Sequence, residues 1–146
     1  KALMAAGLML PPRGSILLSM SDRTKAESAP MIEGLAKAGY DLYATPGTAA
    51  MIRDMHIPVV EVPKLLSQEH PNVLDLIADG TVDAVVNTVT GDRETLQDGF
   101  EIRRAAVERR IPCFTSLDTA RAAVESLANG SEGYSVKPLP VYRAGR

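Results

Sequence analysis

A regular alternation of short apolar runs with helix-like stretches limits what this chain can fold into more than any other feature of its sequence. Runs rich in β-branched residues are typical of strands buried on both faces of a sheet. Strands that alternate with helices predict a parallel sheet with right-handed crossovers. We therefore expect an α/β fold of three layers, a Rossmann-like, five-stranded parallel sheet flanked by helices. The predicted strands cover residues 15–20, 40–44, 58–61, 82–87 and 111–115.

Caps and helix breakers place the helices between these strands. Ser21 or Asp22 can cap the first helix, which is expected to end at Ala38 because Gly39 follows it. Pro30 indicates that this helix either starts late or is kinked. Further helices are predicted from Asn72 to Gly80 and over residues 49–55, 95–110 and 117–127, with a loop at 62–70 and a possible edge strand at 134–136.

The length of the chain, 146 residues, fits a single domain. Two prolines and a glycine end the possible N-terminal helix, so we expect residues 1–14 to be a linker or packing arm from a preceding domain. Residues 15–136 are expected to form the domain and residues 137–146 a tail. The sequence does not begin with methionine, and we expect it to be a piece of a longer protein.

Charge and cysteine content exclude several functional classes. The 16 basic and 18 acidic residues give a net charge of −2, which offers no general attraction for nucleic acid or for membranes. No apolar run has the length needed to span a membrane. Cys113 is the single cysteine, so an internal disulfide and a cysteine-based metal site are excluded, and Cys113 is expected to be a core residue. We expect a cytoplasmic protein without a metal site.

Three predicted strand-to-helix loops carry polar groups that suit one negatively charged ligand. They follow the first, second and fourth strands, and the carboxyl edge of an open parallel sheet is where such folds bind ligands. A lysine, several hydroxyls, a helix start and glycines that allow close approach of the backbone together predict an anion site. Each residue alone is equally typical of a helix cap or a solvated side chain. The residues concerned are Lys25, Thr45, Gly47, Thr48, Asn87, Thr88, Thr90 and Gly91, with Lys64 from the loop after the third strand.

The sequence gives no comparable indication of catalysis. His56 and His70 have no partners at the spacing of a metal site or a catalytic triad. Asp98 can accept a hydrogen bond from a ribose hydroxyl or act as a base, and it is equally typical of an acid in the first turn of a helix. The glycine-rich patterns of dinucleotide sites and P-loops do not occur. We therefore predict no catalytic residue.

Four stretches of the chain resemble a known family. LLSMSDRTK, YATPGTA, VDAVVNTVTG and DGFEIRRAAVERRIPCFTSLDTA are similar to the methylglyoxal-synthase-like domain, and more closely to the C-terminal allosteric domain of the large subunit of carbamoyl-phosphate synthetase. The resemblance covers about residues 15–127. It implies a five-stranded parallel sheet and a nucleotide monophosphate effector, with UMP inhibiting and IMP activating or competing. In urea-cycle versions N-acetylglutamate binds instead.

The resemblance also implies the setting of the domain. The parent enzyme makes carbamoyl phosphate for pyrimidine and arginine biosynthesis from glutamine-derived ammonia, bicarbonate and two ATP, with Mg²⁺ or Mn²⁺. The implied partners are the remaining domains of the large subunit and the glutaminase small subunit. None of those catalytic parts falls in this sequence, so we expect no cofactor in this chain.

Residue by residue, the resemblance implies contacts to the effector from several loops. The phosphate would meet Lys25, Thr45 and Thr48, and Lys64 matches a family lysine if one inserted residue is allowed nearby. The effector would also meet Asn87, Thr88 and Thr90 through its phosphate, ribose or base, while Asp98 and Ile102 would flank the nucleoside.

Two alternatives remain open beside a regulatory role. Methylglyoxal synthase, a phosphate-eliminating lyase on dihydroxyacetone phosphate, shares the phosphate loops, but its catalytic aspartate lies in a Trp-Asp-Pro context where this chain has Asn87, Thr88 and Val89. Its His-Asp pair corresponds to Gln97 and Asp98 here. An elimination needs a base at the substrate carbon, so the anion pocket is expected without the lyase chemistry. The other alternative is a structural role with an empty pocket.

Overall fold

The computed structural model describes residues 10–88 and 93–128 of the chain. Within them, a five-stranded parallel sheet lies between two layers of helices, as the sequence predicts. The strands are β1 (Ser15–Ser19), β2 (Asp41–Ala44), β3 (Val60–Glu61), β4 (Ala84–Asn87) and β5 (Cys113–Phe114). The helices are α1 (Asp22–Lys37), α2 (Pro46–Asp54), α3 (Val73–Ala78), α4 (Arg93–Glu108) and α5 (Leu117–Ala128), with a 3₁₀ turn at Leu65–Ser67.

The strand order is β3-β2-β1-β4-β5, and every neighbouring pair is parallel. β1 lies at the centre, with Leu18 beside Ala44 of β2 and Ser19 beside Asn87 of β4. The chain runs outward from β1 to β3 and then crosses back to β4 on the other side of β1. This reversal creates the crevice at the carboxyl ends of β1 and β4 in which open α/β sheets bind ligands.

The alternation of side chains along the strands builds two apolar cores. Ile16 and Leu18 of β1 face a core shared with α1, α2 and α5, whereas Leu17 faces a second core formed with α3 and α4. Because both faces are covered, the central strands β1 and β4 are apolar except at their ends. Cys113 packs against the second core, as predicted, and burial raises the pKa of its thiol.

Two glycines end helices in the way the sequence predicts. Gly39 (φ +88°) follows the C-cap of α1, and Gly80 (φ +74°) follows the C-cap of α3. Both conformations lie in the left-handed region, which an L-residue with a Cβ adopts only with strain. The helix predicted to begin at Asn72 begins at Val73, with Asn72 as its N-cap, and the side chains of Asn72 and Asp75 form a reciprocal capping box.

The first helix starts where its predicted cap indicates, and the second starts earlier than predicted. α1 begins at Asp22, after the N-cap residue Ser21, and continues through Pro30, so only the alternative of a start near that proline is wrong. Pro30 is exposed, so the carbonyl that loses its intrahelical hydrogen bond lies on the side of water. α2 begins at Pro46 rather than at residue 49, because proline is well suited to the first helical position. Thr45 is therefore its N-cap residue, and Thr48 lies within its first turn.

Other departures are small, and some predictions cannot be compared. α4 begins two residues before the predicted residue 95 and ends at Glu108, and the predicted loop at 62–70 contains the 3₁₀ turn. The possible edge strand at 134–136, the tail and most of the N-terminal arm lie outside the described residues. None of the helices described is long and apolar enough to cross a membrane.

Candidate functional site

The three loops that the sequence predicts to converge lie side by side. They follow β2, β1 and β4, which are consecutive in the sheet, so all three emerge at the same carboxyl edge. The geometry of the sheet alone therefore brings Lys25, Thr45 and Thr88 to one region of the molecule. Thr90 and Gly91, which the sequence also assigns to the site, lie outside the described residues.

Thr48, in the first turn of α2, links that helix to the loop after β1. Its Oγ1 accepts a hydrogen bond from the backbone N–H of Met20 at 3.0 Å, and Thr45 Oγ1 lies 3.4 Å away. Thr48 is only 1% exposed and Thr45 only 3%. The hydroxyl predicted to bind a ligand thus also holds the edge of the site together.

Thr88 links the loop after β4 to the loop after β1 by a similar hydrogen bond. Its Oγ1 accepts a hydrogen bond from the backbone N–H of Ser21 at 3.1 Å and lies 2.7 Å from Thr24 Oγ1. Thr24 Oγ1 in turn lies 3.0 Å from Ser21 Oγ. Ser21 and Thr24 are not among the site residues that the sequence predicts. Their spacing of three residues at a helix start, which puts both hydroxyls on one side, is the signal that could have identified them.

Asn87 connects the end of β4 to α4. Its Nδ2 donates to the backbone carbonyl of Gly99 at 3.1 Å, and Arg103 Nε donates to the same carbonyl at 3.1 Å. Asn87 is 2% exposed. Its amide group therefore positions α4 against the sheet, a structural role beside the effector contact that the resemblance implies.

The ammonium group of Lys25 lies over the first turn of α2. A Cβ placed on Gly47 would lie 2.9 Å from Lys25 Nζ, so the absence of a side chain at Gly47 makes room for the ammonium group. The first backbone N–H groups of a helix have no intrahelical acceptor and carry partial positive charge. Lys25 and the start of α2 thus place a full and a partial positive charge next to each other.

In this structure Lys25 is paired with Asp22, whose Oδ1 is 2.5 Å from Lys25 Nζ. The hydrogen bond from Lys25, then the charge of Lys25 and the charge of Lys64, hold the pKa of Asp22 below its ordinary value of 3.8. Lys64 lies at the same edge of the sheet, where it lines the cleft described below. Two cations accordingly share this edge of the sheet, as the sequence predicts.

A cleft with a volume of about 50 Å³ opens beside these cations, between the strand ends and α4. Of the predicted site residues, Thr45, Lys64, Asn87, Thr88, Asp98 and Ile102 line it. Lys25, Gly47 and Thr48 are not part of its wall, although Thr48 Oγ1 lies 3.4 Å from Oγ1 of the lining residue Thr45. The remaining lining residues are not among those that the sequence predicts: Ser19, Met20, Ser21, Leu65, Val73 and Gly99.

The described residues offer little for bond-breaking chemistry. Asp98 is the one carboxylate in the lining of the cleft, neither histidine lines it, and Asp98 has interactions of its own within the protein. His70 pairs instead with Asp75, with Nδ1 2.6 Å from Oδ2. Within residues 10–88 and 93–128, no group of three or more His, Cys, Asp or Glu side chains is placed to hold a metal ion.

Comparison with known proteins assigns the chain to a family. The sequence profile of the family described as the MGS-like domain matches residues 27–115. The chain belongs to the MGS-like domain family, as its motifs indicated.

Two curated relatives are a carbamoyl phosphate synthase large chain and the C-terminal section of another. The chain is 47% identical over 143 residues to the carbamoyl phosphate synthase large chain of Thermomicrobium roseum, covering 98% of this chain and 13% of that protein. It is 41% identical over 127 residues to the C-terminal section of the carbamoyl phosphate synthase large chain of Methanopyrus kandleri, covering 87% of this chain and 23% of that protein. The chain thus spans less than a quarter of the length of either relative.

Solved structures share the fold at low sequence identity. The crystal structure of methylglyoxal synthase from Elizabethkingia anophelis matches with a TM-score of 0.59 and 20% identity over 79% of each chain. The crystal structure of ForH matches with a TM-score of 0.58 and 21% identity, covering 90% of this chain and 86% of that one. At this identity the likeness establishes the architecture alone.

Proposed function

We propose that this chain is a regulatory domain of a carbamoyl phosphate synthase large chain and that it binds a nucleotide monophosphate, UMP or IMP, at the carboxyl edge of its sheet. The sequence identity to one large chain and to the C-terminal section of another supports carbamoyl phosphate synthase as the parent enzyme. One observation carries the choice of ligand: Lys25 Nζ lies over the side-chain-free Gly47 at the start of α2. That arrangement suits a phosphate group, which needs positive charge and accessible backbone N–H groups.

The cleft beside Lys25 gives the rest of the ligand a place to bind. Its wall combines polar groups, Thr45 and Asn87 among them, with the apolar side chain of Ile102. A nucleoside has hydroxyls to hydrogen-bond and a base with apolar faces, so it matches a wall of this kind. With about 50 Å³ enclosed, the cleft holds only part of a nucleotide, and the phosphate would lie outside it, toward Lys25 and Lys64.

In this proposal the domain controls chemistry that occurs elsewhere. The rest of the large chain would bind ATP with Mg²⁺ or Mn²⁺, and the glutaminase small subunit would supply ammonia, in the cytoplasm and for pyrimidine and arginine synthesis. An effector that prefers one conformation of the whole enzyme shifts the population toward that conformation. In this proposal the domain needs only to bind the effector and to favour one conformation of the enzyme when the effector is bound.

The alternative is phosphate elimination from dihydroxyacetone phosphate, for which the shared fold with a methylglyoxal synthase and the carboxylate of Asp98 provide an argument. The regulatory function is favoured because an elimination needs a base aimed at the substrate carbon. Asp98 is already engaged within the protein, and no histidine lines the cleft in the part of the chain described here.

Calorimetric titration of the chain with UMP, IMP and N-acetylglutamate tests the proposal. UMP or IMP should bind and raise the melting temperature, because a ligand at 100 times its Kd stabilises the folded state by about 2.7 kcal/mol. Lys25→Ala should weaken binding at least tenfold. Lys37→Ala, which removes an exposed lysine at the other end of α1, is the matched control and should bind as the wild type does.

Three outcomes would contradict this function. Formation of methylglyoxal from dihydroxyacetone phosphate would favour the lyase. Binding of N-acetylglutamate but of neither nucleotide would assign a different effector. No binding of any of the three would leave a structural role with an empty pocket.

A further inference from the structure

The carboxylate of Asp22 forms an ion pair with Lys25, the cation that the proposed ligand needs. Its Oδ1 lies 2.5 Å from Lys25 Nζ, and the side chain of Asp22 is 94% exposed, whereas that of Lys25 is 24% exposed. Lys25 is therefore held in place against α2, while Asp22 projects into water. Of the two partners, the carboxylate is the one that can leave without disturbing the packing.

We propose that Asp22 is an internal counter-ion that competes with the ligand for Lys25 and thereby sets the affinity of the site for anions. The proposal rests on the function proposed above, since it concerns the same site. An incoming phosphate must displace the carboxylate from Lys25 before it can reach the start of α2. Asp22 then either rotates into solvent or stays nearby and repels the phosphate, and both lower the affinity.

The strength of the contact suits a competitor that can be displaced. Exposed ion pairs are weak because water and salt screen them and because the side chains lose freedom when paired. Asp22 stays ionised at neutral pH, since its pKa lies below the ordinary value. Small anions that contact only Lys25 merely replace one negative group with another. A ligand that also contacts Lys64 and the cleft gains further interactions and displaces the carboxylate.

The simpler explanation for Asp22 is a structural one, and it makes a different prediction. Asp22 is the first residue of α1, where an acidic side chain is stabilised by the helix dipole. A purely structural acid would affect the melting temperature when replaced but would leave anion binding unchanged or weaker. A competing counter-ion gives tighter binding when its charge is removed.

The test is an NMR titration of the ¹⁵N-labelled full chain with sodium phosphate and with UMP at constant ionic strength, following the amide signal of Gly47. Asp22→Asn should bind both ligands about fivefold more tightly than the wild type. Asp22→Glu keeps the charge and can still reach Lys25, so it should bind as the wild type does. Glu33→Gln changes the net charge equally at an exposed position of the same helix and should stay within twofold of the wild type.

The outcomes separate this inference from the function on which it rests. Asp22→Asn could bind phosphate more tightly than the wild type while every variant binds UMP no more tightly than phosphate. In that case the counter-ion role stands and the nucleotide function fails. If the wild type binds UMP and Asp22→Asn binds it equally or more weakly, the counter-ion role is wrong and the nucleotide function stands. Equal tightening by Glu33→Gln, or no binding of phosphate by any variant, also overturns the counter-ion role.

Discussion

Thr48 Oγ1 accepts a hydrogen bond from the backbone N–H of Met20 at 3.0 Å and thereby joins the first turn of α2 to the end of β1. Both residues are buried, with Thr48 1% and Met20 7% exposed. A buried N–H group without an acceptor is costly, so this contact fixes the relative position of two of the three loops that form the candidate site. The position of Lys25 relative to Gly47 depends on that alignment.

We expect Thr48→Val to destabilise the protein by about 1–3 kcal/mol, because the N–H of Met20 would lose its acceptor while the shape of the side chain is retained. Thr48→Ser, which keeps the hydroxyl and removes a methyl group, should cost less, about 1 kcal/mol. Urea unfolding of the two variants measures the difference. A valine variant as stable as the serine variant would show that the hydrogen bond does not hold the loops.

Gly47→Ala should separate ligand binding from stability. The added methyl group would lie 2.9 Å from Lys25 Nζ, which is the end of a flexible side chain and can move away. Stability should stay the same or rise by about 0.5 kcal/mol, since alanine is favoured over glycine in helices. The Kd for UMP, measured by calorimetry, should rise about fivefold because the ammonium group is displaced. Unchanged affinity would remove Gly47 from the site.

Gly34→Ala makes the same chemical change away from the site and should give the opposite result. Its methyl group would lie 2.8 Å from Cγ1 of Val124, where α1 packs against α5. Overpacking of this kind costs about 1–3 kcal/mol and the gain in helix propensity offsets about 1 kcal/mol, so a net loss of about 1 kcal/mol is expected. Thermal unfolding measures it. UMP affinity should be unchanged, and a loss of affinity would mean that the two positions are coupled.

The sequence predicts the sheet well because its signals are local. Apolar runs mark the strands, and Gly39 and Gly80 mark helix ends through a conformation that other residues avoid. Pro30 left the start of α1 open, because its position on the exposed side of the helix decides what the missing hydrogen bond costs and depends on tertiary packing. The strand order, with β1 between β2 and β4, is likewise a property of the whole fold.

The site could be predicted as a location but not as a set of contacts. Loop polarity indicated the edge of the sheet at which the cleft lies, and six of the predicted residues line that cleft. The bond from Asn87 to the carbonyl of Gly99 spans twelve residues, and the bond from Ser21 to Thr88 spans 67. Contacts over such separations leave no periodic trace in a sequence. Asp22 and Lys25 are three residues apart on a helix, a spacing that allows them to pair. The contact between Lys25 and Gly47 joins two different helices and cannot be inferred from spacing.

Acid should destabilise the protein partly through Asp75. The backbone N–H of Asn72 and then His70 hold the pKa of this carboxyl below its ordinary value of 3.8. A carboxyl with a lowered pKa in the folded state adds stability above its unfolded pKa and loses it as the pH falls through the folded pKa. Stability should therefore fall below about pH 4 as Asp75 takes up a proton and its hydrogen bonds weaken.

Asp75→Asn should remove this part of the acid sensitivity. The variant should be less stable than the wild type at pH 7, and the gap between the two should narrow in urea titrations carried out from pH 5 down to pH 2.5. Glu125→Gln, at an exposed position of α5, is the control and should parallel the wild type over the same range. Asp22 titrates with the same sign but is present in all three proteins, so it does not affect the comparison. A gap that stays constant with pH would show that the charge of Asp75 contributes nothing to the capping box.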